Sequence, residues 1–200
     1  MVVDSPEVPQ PAPRRPRKIF LAVGVVVAAA LGVGLFTGLG TNPASSAAPH
    51  IGGPVPSFSA TNLNGSGSVA VPQDEGQGTA TVLLFFGNWC QECHAELPPL
   101  AAVVRRQRAS GGALAHIAVI GVDSLDNAGT AKSFIQKSGV TFPVAYDPNE
   151  TIIEGDFYFD GDPYAVFVKP DGRIGRIVRG ATLTPASFTA DERALIPSGS

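Results

Sequence analysis

Cysteine, histidine and methionine are scarce in this 200-residue chain, which contains two, three and one of them respectively. A structural zinc site takes four ligands and usually includes a second pair of cysteines or histidines. Two cysteines and three scattered histidines do not supply such a set. We therefore expect no metal ion and no other bound cofactor.

Basic runs are also missing from most of the chain. The first 18 residues hold four Lys and Arg, whereas residues 41–200 hold ten Lys and Arg against 15 Asp and Glu. A mildly acidic domain without a basic patch is a poor candidate for binding nucleic acid. We expect no nucleic-acid partner.

Residues 19–39 form one uncharged apolar run of 21 residues, preceded by a Pro-rich tail (1–18) that should be disordered. As a helix, the run could cross ~30 Å of hydrocarbon. Its basic residues lie on the N-terminal side, which predicts a signal anchor with a cytoplasmic N-terminus and the remaining chain outside the cytoplasm. A cleaved signal peptide is the alternative, because the small residues 44–48 could be cut. The length of the run favours a retained, single-pass anchor in the cell membrane.

The remaining chain reads as a Pro- and Gly-rich linker (40–56) followed by one domain (57–196). Alternating and apolar runs within the domain predict the order β-hairpin, β, α, β, α, β, β, α. This order predicts an α/β sandwich, with a central mixed sheet flanked by helices. The expected segments are a hairpin at 58–71, strands at 81–86 and 114–122, helices from 91 to about 109 and from 127 to 138, a short helical stretch to about 157, a hairpin at 163–179 and a last helix to about 195.

The two cysteines stand together as Trp89-Cys90-Gln91-Glu92-Cys93, between the apolar strand and the following helix. A Cys-x-x-Cys at a strand-to-helix junction suits thiol–disulfide exchange. The unpaired N–H groups and the dipole of a helix N-terminus favour a thiolate on the first sulfur. The second cysteine, one turn later, can resolve a mixed disulfide.

Two other interpretations of the cysteines remain open. A structural disulfide is one, although such bridges usually close longer loops. The other is haem attachment, because residues 90–94 read Cys-x-x-Cys-His. Met1 is the single methionine, and it lies on the wrong side of the membrane to be a distal haem ligand, which would leave His50 or His116. A redox-active dithiol fits the position of the motif best.

The motif resembles the active site of the thioredoxin superfamily, and in particular of the membrane-anchored TlpA/ResA/DsbE-type thiol–disulfide oxidoreductases. Pro98 falls where this family kinks its first active-site helix, and Glu96 matches an acidic residue beside the dithiol of the ResA-like branch. Residues 161–172 resemble the family's cis-proline strand and the turn after it. The resemblance covers about residues 50–196 and implies a thioredoxin-like sandwich with an N-terminal β-hairpin extension.

The resemblance assigns Cys90 as the attacking thiol and Cys93 as the resolving thiol. The sequence position agrees, because the cysteine nearer the helix N-terminus is expected to be the more acidic and the more exposed. Trp89 would provide an apolar face for clients.

The resemblance also implies three further site residues. Pro163 would be the cis-proline opposite the dithiol, which lets the backbone of Asp162 pair with an extended client segment; an ordinary turn proline is the alternative. Glu96 could exchange protons with Cys93, although a solvated helix charge is the commoner role of glutamate.

We expect a reductase of disulfides in exported proteins, for example apocytochrome c before haem attachment. Glu92 and Glu96 place negative charge near Cys90, which destabilises a thiolate and lowers the reduction potential; a protonated His94 would act in the opposite direction. An external reductase needs a membrane electron-transfer partner. The alternatives are a DsbA-like thiol oxidase and, from another class, a non-catalytic thioredoxin-like adaptor.

Overall fold

The computed structural model describes residues 48–72, 78–180 and 182–196. The predicted cytoplasmic tail (1–18), the membrane helix (19–39) and the first part of the linker lie outside these ranges. Over the described part of the chain, no helix is both long enough and apolar enough to span a bilayer.

Within the described ranges, seven strands and three α-helices follow one another, with one short 3₁₀ turn and one wide helical turn between them. The order is the expected one except for the strand Val144–Asp147, which was not predicted, because four residues are too few for a clear periodic pattern. The elements are β1 (Phe58–Thr61), β2 (Ser68–Val71), β3 (Thr81–Phe86), α1 (Gln91–Ser110), a 3₁₀ turn (Ala113–His116), β4 (Ala118–Ser124), α2 (Ala128–Lys137), β5 (Val144–Asp147), a wide turn (Thr151–Asp156), β6 (Tyr164–Val168), β7 (Ile174–Arg179) and α3 (Pro185–Arg193).

Strands β3 to β7 form one mixed sheet in the order β5-β4-β3-β6-β7, and β1 and β2 form a separate antiparallel hairpin. β3, β4 and β5 run parallel, whereas β6 is antiparallel to β3 and to β7. Because β3 lies at the centre, all six of its side chains are buried, as the continuous apolar run predicts. The predicted α/β sandwich with a mixed central sheet and an N-terminal hairpin is confirmed.

The alternation of side chains along β3 divides the core into two layers. Val82, Leu84 and Phe86 pack with the three α-helices. Leu83 and Phe85 pack on the opposite face with the β1–β2 hairpin and the wide turn. The hairpin therefore covers a sheet face that would otherwise expose apolar side chains.

Three predicted boundaries differ from the structure. The strand expected at 114–122 begins at Ala118 and continues to Ser124, because Ala113–His116 forms a 3₁₀ turn. A short apolar run does not by itself separate a strand from a helical turn. α1 runs on from Gln91 to Ser110, one residue beyond the expected end, and Gly111 then takes a left-handed conformation.

The third difference concerns the predicted linker (40–56). The N–H of Gly52 donates to the carbonyl of Ile174 (2.7 Å), and the N–H of Val55 donates to the carbonyl of Gly172 (2.9 Å). Residues 52–55 therefore dock on the β6–β7 turn and belong to the domain. Their small-residue composition is equally typical of a linker, so this pairing could not be predicted from the residues alone.

Gly121 provides a test of the packing between β4 and its neighbours. A methyl group there would lie 2.8 Å from the Phe86 ring and 3.1 Å from the Val144 side chain. We expect Gly121→Ala to lower the free energy of unfolding by about 1–3 kcal/mol, because the buried ring has to shift. Equilibrium urea unfolding measures the change.

Gly175 in β7 is the matched control, since a methyl group there would meet its nearest neighbours at an ordinary 3.4 Å. Gly175→Ala should change the free energy of unfolding by no more than about 0.5 kcal/mol. Equal effects of the two substitutions would contradict the described packing of β4.

Candidate active site

Cys90 and Cys93 lie at the start of α1 and are joined by a disulfide, with their sulfurs 2.03 Å apart. Cys90 is the N-cap residue of the helix, and the backbone N–H of Cys93 donates to its sulfur over 3.1 Å. One unpaired N–H group of the helix terminus is thereby directed at this sulfur. After reduction the same donor would stabilise a negative charge on Cys90.

Exposure does not distinguish the two cysteines. Cys90 is 2% exposed and Cys93 is 1% exposed, so the expectation that Cys90 would be clearly more exposed is wrong for the disulfide form. The helix starts one short loop after the buried strand β3, and both cysteines belong to the core layer that β3 forms with the helices. The N-cap position, rather than exposure, is what favours Cys90 as the nucleophile.

Trp89, next to the disulfide, presents an apolar face to solvent. Its side chain is 47% exposed, while its indole N–H donates to the carbonyl of Ser124 over 2.9 Å. Because this hydrogen bond already fixes the orientation of the indole ring, its exposed face can contact a client with little further loss of side-chain freedom.

The Asp162–Pro163 peptide bond is cis, as the resemblance implies. Pro163 and Cys93 line the same cleft. The carboxylate of Asp162 accepts a hydrogen bond from the hydroxyl of Ser124 (2.6 Å). The structure thus brings the predicted proline loop to the dithiol.

Glu96 lies one helical turn after Cys93, and both residues line this cleft. One carboxylate oxygen accepts a hydrogen bond from the backbone N–H of Leu183 (3.0 Å), and the other is buried without a partner. Burial raises the pKa of Glu96 to about 7, although the Leu183 hydrogen bond acts against this shift. A carboxyl group with this pKa can accept or release a proton near neutral pH.

Sequence reasoning missed the polar residues that hold the dithiol loop. The N–H of Asn88 donates to the carboxylate of Asp126 (2.5 Å), and Ser124 binds both Trp89 and Asp162. These partners are about 35 residues away along the chain. A signal existed, because Asp123 and Ser124 end an apolar strand that is parallel to β3, but the predicted strand stopped at residue 122.

His94 is exposed, as expected, and one of its ring nitrogens lies 2.7 Å from the carbonyl oxygen of Asn88. Its ring also packs on Phe134, with 4.6 Å between the ring centres. Among the residues whose placement is known, no group of three or more Cys, His, Asp or Glu side chains could hold a metal ion.

A Cys-x-x-Cys disulfide at the helix start, with a cis-proline beside it on a mixed sheet, defines a thioredoxin-like thiol–disulfide oxidoreductase. The chain belongs to the AhpC/TSA family, which matches residues 51–176. Within that family it is of the TlpA/ResA/DsbE type.

The chain is similar to the thiol–disulfide oxidoreductase ResA of Bacillus subtilis, at 23% identity over 188 residues, covering 93% of this chain and 97% of that protein. ResA of Oceanobacillus iheyensis is 30% identical over 106 residues, which span 52% of each protein and so about half of that relative's length. A secreted disulfide oxidoreductase of Mycobacterium tuberculosis, described as homologous to E. coli DsbE, superposes with a TM-score of 0.57 at 26% identity, covering 69% of this chain and 96% of that one.

The N-cap position of Cys90 predicts unequal reactivity of the two thiols after reduction. We expect Cys90 to be alkylated by iodoacetamide at pH 7 at least about tenfold faster than Cys93, because only the former is stabilised as a thiolate. Mass spectrometry of the reduced protein after timed alkylation locates the label. Equal rates at the two positions would contradict the assigned roles.

Proposed function

We propose that the protein reduces disulfides of exported proteins outside the cytoplasm, with the Cys90–Cys93 dithiol as the electron donor. The observation that carries this proposal is the hydrogen bond from the N–H of Cys93 to the sulfur of Cys90 at the N-cap of α1. It prepares one sulfur, and not the other, for attack on a client disulfide.

In the first step, the Cys90 thiolate attacks one sulfur of the client disulfide. A mixed disulfide forms, and the other client sulfur leaves as a thiolate that takes up a proton. Cys93 then loses its proton and attacks the sulfur of Cys90, which releases the second client sulfur. Two electrons pass to the client, and the Cys90–Cys93 disulfide is left.

Glu96 is suited to receive the proton that Cys93 loses. It lies one turn after Cys93 on the same helix, lines the same cleft, and has one buried oxygen free of hydrogen bonds. Its raised pKa, about 7, makes the carboxylate a stronger base than an exposed glutamate.

The client would bind across the surface beside the dithiol. The exposed face of Trp89 offers apolar contact, and the backbone before the cis-Pro163 can pair with an extended client segment as an additional strand does. Asp162 would supply that backbone, since its side chain is fixed by Ser124.

The charges near the dithiol support a reductase rather than an oxidase. Glu92 lies in the first turn of α1, and Glu96 and Asp126 flank the helix start. Negative charge there disfavours a thiolate and so favours giving up electrons. His94, which lies against Asn88, is the observation that favours a DsbA-like oxidase, because a protonated imidazole would stabilise the thiolate.

The location rests on the apolar run at 19–39 and on the mycobacterial relative, which is described as secreted. A reductase outside the cytoplasm has to be recharged with electrons, so the proposal includes membrane anchoring and a membrane electron-transfer partner. The resemblance to ResA-like proteins also makes apocytochrome c a candidate client before haem attachment.

Cys93→Ala should trap the client. With insulin as the disulfide substrate, the reduced parent protein should release reduced insulin, whereas Cys93→Ala should accumulate a mixed disulfide on Cys90, because the resolving thiol is missing. Mass spectrometry under non-reducing conditions measures the adduct. Cys90→Ala is the control and should form none. A non-catalytic adaptor would instead hold insulin equally in both variants.

Glu96→Gln should change the pH dependence of client release. In the parent, the rate of the second step should rise as pH passes through about 7, because the carboxylate has to be ionised to accept a proton. The variant should lose this rise and release insulin on the order of 100-fold more slowly at pH 8. Rapid-mixing kinetics from pH 5 to 9 measures the rate.

Glu92→Gln is the matched control, since Glu92 lies in the same helix but is exposed. It should keep the rise near pH 7. An unchanged profile in Glu96→Gln would remove Glu96 from the mechanism.

A further inference from the structure

Asp123 is the most unusual polar residue of the domain, since it is buried without any apparent compensation. It is the sixth residue of β4 and is 0% exposed. Both of its carboxylate oxygens lack a hydrogen-bond partner. An isolated, ionised carboxylate in such a place is strongly unfavourable, so the group either carries a proton or acquires one easily.

The position of Asp123 in the strand directs its side chain to the helix-bearing face of the sheet. Val119, four residues earlier, packs in that layer, and a side chain at Gly121 would meet the Phe86 ring. Alternation along the strand places Asp123 on the same face. Its register partner in β3 is Phe86, which belongs to the same packed layer as Cys90 and Cys93.

The loop between Phe86 and Cys90 is tied to the chain that follows Asp123. The indole of Trp89 donates to the carbonyl of Ser124 (2.9 Å), and the N–H of Asn88 donates to Asp126 (2.5 Å). The dithiol loop is thus built on the end of β4 that carries Asp123. A change in charge at this end is close to the place where a thiolate would form.

Two acidic residues surround Asp123, Asp126 from the following loop and Asp162 from the cis-proline loop. Burial, followed by repulsion from these two carboxylates, raises the pKa of Asp123 to about 8. Burial also raises the pKa of Asp162 to about 7, while its hydrogen bond from Ser124 acts against this shift.

The other elements packed around this end of β4 add few compensating charges. On the β5 side, the register partner of Asp123 is Tyr146, whose hydroxyl donates to the carbonyl of Asp126 (3.0 Å). On the helix side, burial raises the pKa of Asp126, while its hydrogen bond from Asn88 and the neighbouring His94 act against this shift. Glu150 and Asp147 are further carboxyl groups that act on Asp162.

We propose that Asp123 holds a proton beneath the dithiol loop and that its ionisation is linked to reduction of the Cys90–Cys93 disulfide. This inference rests on the proposed function. Asp123 acts as a positioning residue, through the charge that it places near the sulfurs. While its carboxyl group is protonated, Asp123 does not affect the Cys90 thiolate electrostatically. Once this group ionises, its negative charge disfavours that thiolate.

The linkage follows from the balance of electrons and protons. Reduction of the disulfide by an external dithiol adds two electrons, breaks the bond between the two sulfurs and leaves one thiolate and one thiol when Cys90 is ionised. The new negative charge makes the Asp123 carboxylate bind a proton more tightly. Between about pH 8 and pH 9, reduction therefore takes up a further fraction of a proton at Asp123, up to roughly half a proton for a coupling of one pKa unit, and oxidation releases it again.

The test is the equilibrium of the full-length protein with dithiothreitol from pH 6 to pH 9, read by alkylation of the thiols. In Asp123→Asn the carboxylate is absent, so at pH 9 the dithiol form should be favoured about fivefold more than in the parent, which corresponds to a coupling of one pKa unit. At pH 6, where Asp123 is neutral in the parent, the two proteins should agree within about twofold.

Glu192→Gln is the matched control. Glu192 is a second fully buried carboxyl group with a pKa raised to about 7, and it accepts a hydrogen bond from Gln107 (2.6 Å) far along α1 from the dithiol. It should leave the equilibrium unchanged within about twofold at every pH. An equal pH dependence in the parent and in Asp123→Asn would overturn the inference alone, whereas thiols that do not exchange at all in the parent would overturn the proposed function.

A second measurement does not depend on the folding of Asp123→Asn. Carbon-13 labelling of the aspartate carboxyl groups lets NMR follow them in the unmodified protein, with Asp126→Asn and Asp162→Asn assigning the other two. One buried aspartate should titrate near pH 8 in the disulfide form, and at higher pH after reduction. The inference would be contradicted if no such group were found, or if its pKa were the same in the disulfide and dithiol forms.

Discussion

The site depends on the place where helix α1 begins. β3 is buried on both faces, and the chain leaves it through a four-residue loop before α1 starts at Gln91. Cys90 therefore becomes the N-cap, and its sulfur takes the place of the side-chain oxygen that usually receives a backbone N–H there. The packing of β3 fixes where the helix starts, and the helix start in turn fixes the position of this sulfur.

Burial is the second constraint, because it turns ordinary carboxyl groups into groups that titrate near neutral pH. Glu96 lies on one side of the dithiol and is shielded by the chain near Leu183, and Asp123 lies on the other side at the end of β4. Desolvation is the main cause of the raised pKa in both. Proton uptake and electron transfer are therefore expected to be linked.

The sequence predicted the fold well because the patterns that define it are local. The apolar run of β3, the Cys-x-x-Cys motif and the Pro-Asp-Gly turn each lie within a few residues, and the structure places the predicted residues Cys93, Glu96 and Pro163 around one cleft. The order of strands and helices follows from the same local signals, except for β5, whose four residues show no clear periodic pattern.

The supporting residues were not predictable in the same way. Ser124 and Asp126 act through hydrogen bonds to residues some 35 positions earlier, and such pairings depend on strand register. The displaced boundary of β4 also hid Asp123, because a polar residue outside a predicted strand reads as an ordinary loop acid. The nearly equal burial of Cys90 and Cys93 could not be read from the helix position either, since it depends on how the loop folds over the sulfurs.

The reduction potential of the Cys90–Cys93 pair at pH 7 tests the account most directly. Equilibration with glutathione buffers of known ratio, followed by alkylation and mass spectrometry, gives the fraction of protein in the disulfide form. The account predicts a potential more negative than the value of about −180 mV that is typical of protein disulfide isomerase. A clearly more positive potential would contradict it, because the dithiol would then take electrons from exported proteins instead of supplying them.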